Sequence, residues 1–196
     1  MNELPTAAAR QPIHTRRTTT HGFLREDGLW DIEGELVDTK AYDSASSASH
    51  ARQAGEPIHH MRIRLTIDDG LVVREATAVM ASTPFDECAP AVLPFHRLAG
   101  ARMGPGWRRA VDEAMGGVAG CTHLRELLSA MATTAFQTVY PHLQRTRRSA
   151  GGALYEGDVP APHMGQCVGW DFDGAVIARV APQFIGRRQP ASSSKG

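Results

Sequence analysis

Apolar and polar positions alternate in two stretches of the chain and recur at helical spacing in a third. Over residues 29–38, Trp30, Ile32 and, past a glycine, Leu36 occupy every second position. That pattern predicts a half-buried strand and allows a bulge at Gly34. Arg16-Arg17-Thr-Thr-Thr-His-Gly-Phe, just before it, reads as an extended segment. Residues 60–67 alternate strictly, with Met61, Ile63, Leu65 and Ile67 on one face, and Asp68-Asp69-Gly70 is turn chemistry leading into a return strand over 71–80. Because the turn sets the register, His59 and His60 should lie near residues 82–88.

The third stretch is helical. Leu124, Leu127, Leu128, Met131, Ala135 and Val139 form one apolar stripe. Gly116-Gly117 and Gly120 break the chain before it, Thr122 can cap it, and Tyr140-Pro141 should end it. Between hairpin and helix, Pro90 opens a short helix toward Leu98 that Pro94 distorts, and Pro105 opens a second over Trp107 to Met115. Residues 41–54 are rich in Ser and Ala and read as a surface loop, and 151–165 as another. Cys167 to Val180 looks like a second hairpin turning at Asp173-Gly174. The pattern predicts an α+β fold: an antiparallel sheet with helices on one face, extended by N- and C-terminal strands. A single domain should span 15–185 between disordered tails over 1–14 and 186–196.

Composition narrows the function classes. With 21 basic and 21 acidic side chains in 196 residues, no net charge draws the chain to nucleic acid, and the short run Arg145, Arg147, Arg148 does not change that. No apolar run approaches the roughly 20 residues that span a bilayer. The N-terminus lacks the layout of a secretion signal, so a cytoplasmic location is expected. The three cysteines, Cys88, Cys121 and Cys167, are too widely spaced for a small disulfide scaffold. Nine histidines are many for this length.

The candidate chemistry follows from where these residues fall. Cys121 and His123 sit at the start of the amphipathic helix, where unpaired N–H groups favour a thiolate. Cys88 stands at a strand-to-helix turn, and His59 or His60 at a strand start. His60 is out of phase with Met61 and reads as solvent-facing, and His96 as a surface histidine. Cys167 fits either a core or the site. A Cys/His mixture of this kind suits zinc or ferrous iron. Asp31, Asp38, Asp43 and Arg16-Arg17 could bind an anionic substrate, although solvated charges are the default.

Two resemblances sharpen this picture. Gly55-Glu-Pro57-Ile-His59-His60-Met61, Cys88 after the hairpin, Leu98-Ala-Gly100 and Cys121-Thr-His123-Leu124 follow the order found in the NifU-like iron–sulfur scaffold fold. The resemblance covers roughly residues 55–140 and implies a NifU/SufE-like core with a metal site at those positions. A histidine stands where that family has its first scaffold cysteine, and Gly116-Gly-Val-Ala-Gly120 replaces its Leu-Pro-Pro loop. The chain as a whole more closely resembles a bacterial family of unknown function. The matching residues are Arg16-Arg17, Gly55 to His59, Pro84 to Cys88, Gly120 to Leu124, and Cys167 with Gly174-Ala-Val-Ile-Ala178. That resemblance carries a hint of aromatic-compound breakdown.

The favoured expectation is a metal-dependent enzyme. His59, Cys88, Cys121 and His123 would hold Zn²⁺ or Fe²⁺, for hydrolysis or lyase chemistry on a small catabolic intermediate, an aromatic one if the second resemblance extends to substrate. The alternatives are an iron–sulfur or sulfur-carrier module on the same residues, and metal-free catalysis with Cys121 as nucleophile and His59 as base. A small-molecule partner is expected, without nucleic acid or membrane, and a homodimer is compatible with the sequence.

Overall fold

The computed structural model describes residues 3–45, 50–151, 155 and 157–187. Residues 46–49, the serine-rich centre of the expected loop, and most of the expected 186–196 tail lie outside the described residues. The chain divides into two compact units, 1–141 and 142–196.

In the first unit, β1 (His14–Leu24) and β2 (Trp30–Lys40) form a hairpin. The short β3 (Ser44–Ala45) and β4 (Ala51–Arg52) pair with each other inside the segment expected to be a loop. β5 (Pro57–Ile67) and β6 (Val73–Ser82) complete a four-stranded antiparallel sheet in the order β1-β2-β5-β6. The turn between β5 and β6 is the expected one, and it sets His60 opposite Ser82.

Every second residue of β2 is buried: Trp30, Ile32, Gly34, Leu36 and then Asp38. Met61, Ile63, Leu65 and Ile67 of β5 continue that face. Burying each large apolar side chain contributes roughly 1.5–3 kcal/mol. The long α2 (Thr122–Ser149) lies over this face, its Leu127 and Met131 against Gly34, and α1 (Trp107–Met115) adjoins α2. The predicted stripe of α2, from Leu124 to Val139, is buried throughout, and Trp107 donates its indole N–H to the Leu128 carbonyl at 3.0 Å.

Gly34 is not a bulge. It pairs in register with Thr20 and Ile63, and the irregularity of the β2–β5 pairing falls instead between Asp38 and Thr39. Its glycine serves the helix: a Cβ there would lie 2.7 Å from Met131 Sδ. Thr122 is the first residue of α2 rather than its cap. Cys121 takes the cap position, its carbonyl accepting the Arg125 N–H at 3.1 Å. Pro90 and Pro94 fall within one 3₁₀ run, Asp86–Leu98, the distorted helix that two prolines enforce.

α2 also runs through Tyr140-Pro141 to Ser149, where the sequence predicts a stop. A proline removes one N–H bond, while Val139 before it is anchored in the core and the turns beyond form regardless. The second unit holds the α2 residues from 142 onward, a 3₁₀ turn (Val168–Trp170) and α3 (Ala175–Val180). The expected C-terminal hairpin is therefore replaced by helical structure. Asp171 accepts the Asp173 N–H at 3.1 Å and its carbonyl accepts Gly174 N–H at 2.9 Å, which starts a helix instead of a strand return. Ile177, Ala181 and Phe184, at helical spacing, then cluster with Met164 and Phe172. No helix among the described residues is long and apolar enough to cross a membrane.

Candidate functional site

Sheet register builds the site. Arg16 of β1 stands opposite Asp38 of β2, and Asp38 opposite His59 of β5, so the three form one row across three strands on the core side. Asp38 is only 1% exposed, the last member of the apolar row that begins at Trp30. A carboxylate buried this deeply is costly unless paired. Arg16 supplies the pairing as a fork: Nε donates to Oδ1 and Nη2 to Oδ2, both at 2.8 Å. The remaining terminal nitrogen, Nη1, donates to Glu126 of α2.

Three imidazoles surround the same carboxylate. His59 Nδ1 lies 3.0 Å from Asp38 Oδ2, His14 Nε2 lies 3.3 Å from Oδ1, and His123 Nε2 lies 3.7 Å from Oδ2. The carboxylate can only accept, so a neutral His59 carries its proton on Nδ1. The His59 and His123 rings lie against each other, centroids 3.9 Å apart. Behind His123, the Cys121 sulfur is 3.6 Å from Nδ1. One ligand atom each from Asp38, His59 and His123 falls within 4.8 Å of the others, the spacing of groups able to share one ion.

The electrostatics follow from burial and charge. Burial by itself raises the Asp38 carboxyl, but the Arg16 hydrogen bonds and charge, with His59 and His14, outweigh it and hold it below the usual carboxylate range. Burial, and then the neighbouring His123, hold His59 below the ordinary histidine value. His123 is lowered by burial and then by Arg16. Neutral imidazoles beside an ionised carboxylate are the protonation states that metal ligands require.

Of the four residues expected from sequence, His59, His123 and Cys121 meet here. Cys88 lies in the 3₁₀ run, half-buried, and is not among the groups whose ligand atoms converge. Burial pushes its thiol up, and the charge of Cys121 adds to the rise. His60 faces the opposite side of the sheet, where it meets Glu35 at 2.8 Å, so His59 is the inner histidine. Cys167 is exposed in the second unit. The imidazole next to the Cys121 thiol is His123, not His59 as expected for a thiol base.

Sequence reasoning undervalued Asp38 and Arg16 as solvated charges and left His14 in the tail. The signal for Asp38 was present: the period of two that places Trp30, Ile32 and Leu36 inward reaches it without a break. Among comparisons with known proteins, a family model described as "Protein of unknown function (DUF2889)" matches residues 14–137. No curated protein and no solved structure matches.

Proposed function

The chain belongs to the DUF2889 family, whose matched stretch contains every residue of the Asp38 cluster, and we propose that it is an enzyme dependent on zinc or ferrous iron held by Asp38, His59 and His123. The observation that carries this reading is the convergence of two imidazoles and one carboxylate within 4.8 Å. The donor set fits. Two histidines and a carboxylate are used by catalytic zinc and by non-haem ferrous iron, and three protein ligands leave room for water or substrate. When bound, such an ion lowers the pKa of water or polarises a carbonyl, which suits hydrolysis or lyase chemistry on a small catabolic intermediate.

The surrounding residues have matching roles. Arg16 fixes the Asp38 carboxylate from the side, and Glu126 fixes Arg16. Cys121 stands where it can accept the His123 Nδ1–H and set that ring's orientation, as partners behind metal ligands do. In this reading Cys121 is a positioning residue and Cys88 lies outside the ligand set.

Metal analysis of protein purified without an affinity tag tests the proposal. One equivalent of zinc or iron is expected, reduced at least about tenfold in His59→Ala, His123→Ala and Asp38→Asn, and retained in Cys88→Ala. Unchanged metal in all three ligand variants overturns it. Visible absorbance with labile sulfide would favour the iron–sulfur alternative that the NifU-like order of elements motivates.

A second reading has one observation behind it, the 3.6 Å approach of the Cys121 sulfur to His123 Nδ1. Cys121 would then be a nucleophile with His123 as base and Asp38 as the group that orients it. Rapid alkylation of Cys121 in metal-free protein, lost in His123→Ala, would support that assignment against the metal centre.

A further inference from the structure

The charge around this centre selects its ligand. Besides Asp38 and its two imidazole neighbours, the groups facing it are Arg16 and His14 from β1, Glu126 from α2, and the Cys121 thiol. Arg16 and Glu126 cancel. A dication on two neutral imidazoles and one carboxylate keeps one positive charge, and His14 beside it adds a hydrogen-bonding edge.

The two groups from β1 are also accessible, as is Glu126. Arg16 keeps 34% and His14 39% of their side-chain surface exposed, whereas Asp38 keeps 1%. Each terminal nitrogen of Arg16 spends one hydrogen, on Asp38 or on Glu126, and so retains another. The exposed approach to the centre thus offers donors from Arg16 and His14, and the exposed carboxylate of Glu126 beside them is already paired.

We infer that the substrate is a small carboxylate, whose charge is met by the centre and by the Arg16 and His14 edges of β1. This rests on the metal reading above. An anion neutralises the single charge the centre retains, and a carboxylate's two oxygens match separate donors in a way that a neutral amide does not. His14 is the specificity-determining residue, because it borders the cluster without belonging to the ion-holding set.

Calorimetric titration with sodium malonate and with the neutral malonamide, on full-length protein whose zinc content is measured in the same sample, tests this. Malonate should bind about tenfold or more tightly than malonamide, and His14→Ala should weaken malonate about fivefold with zinc content unchanged. Equal binding of the two compounds by zinc-loaded protein, no binding of either, or a His14→Ala variant that binds malonate as well as the wild type overturns the inference and leaves the metal reading intact. If the chain takes up neither zinc nor iron, the metal reading fails. A malonate preference that still depends on His14 would then uphold the anion site on the Arg16 and His14 donors, and its absence would remove both.

Discussion

Asp38 shows how one buried charge organises its neighbours. It is kept ionised by a bidentate arginine and holds His59 and His123 beside it, while burial first, then His123 at His59 and Arg16 at His123, keeps those rings neutral. A pH dependence follows from these shifts. His59 and His123 are both held below the ordinary value of 6.5, so as pH falls through that value the unfolded chain takes up protons that the folded one refuses. Stability is then fully present above 6.5 and declines on acidification. Asp38, also held low, adds a further loss as pH drops below about 4, where the unfolded carboxylate protonates first. Urea midpoints of metal-free protein should therefore fall between pH 6.5 and 5, and His59→Gln should flatten that slope; a wild-type midpoint that does not move across this interval would contradict the assignment. His59, His123 and Cys121 were legible as candidates because strand phase and helix start expose them in the sequence. Asp38 was not, because a charged side chain is solvated by default and only its position in the alternation says otherwise.

Among the elements, α2 does the most to bring the site together. Its first turn carries Cys121 at the cap, then His123 and Glu126, to the end of the sheet where Arg16, Asp38 and His59 align. Farther along, Thr134 meets Thr20 at 2.6 Å, and Thr138 covers Gly22. The helix therefore tracks β1, and its close approach depends on two glycines. A Cβ at Gly22 would lie 1.9 Å from Thr138 Oγ1 and 2.6 Å from its Cβ. A β-branched side chain cannot rotate out of that contact, so Gly22→Ala must shift the helix. We expect a loss of about 1–3 kcal/mol in denaturant unfolding, with Thr138→Ala in the same chain restoring part of it. An alanine variant as stable as the wild type would mean the helix does not sit this close.

At the scale of the whole molecule, the two faces of the sheet have different characters. The inner face is apolar and ends in the ionised cluster. The outer face is a ladder of exposed ion pairs, Glu35 with His60 and Arg62, and Glu33 with Arg64. A trough of about 480 Å³ crosses that outer face between the paired rows, but it is lined by these solvated charges and lies on the far side of the sheet from the Asp38 cluster. Such pairs are each worth roughly 0–1 kcal/mol. The inner cluster should carry a larger response to metal. If zinc binds only the folded chain, saturation at about 100 times the dissociation constant adds about 2.7 kcal/mol, a rise of roughly 5–10 °C in melting temperature. Differential scanning calorimetry should register that rise in the wild type and not in His59→Ala. Equal shifts in both proteins would place the zinc elsewhere.

The sequence by itself determined the four strands of the main sheet, the bounds of α1, the buried stripe of α2 and three of the residues that meet at the site. These depend on local periodicity and turn chemistry, which neighbouring residues specify. Tertiary structure decided the rest. It carried α2 past Pro141 because packing outweighs one lost hydrogen bond, and it made a 3₁₀ turn and α3 of Val168–Trp170 and Ala175–Val180 because a short apolar run satisfies either geometry until its partners are chosen. It also joined Arg16, Asp38, His59 and His123 into one cluster, since strand register and the path of a helix over a sheet link positions more than 100 residues apart along the chain.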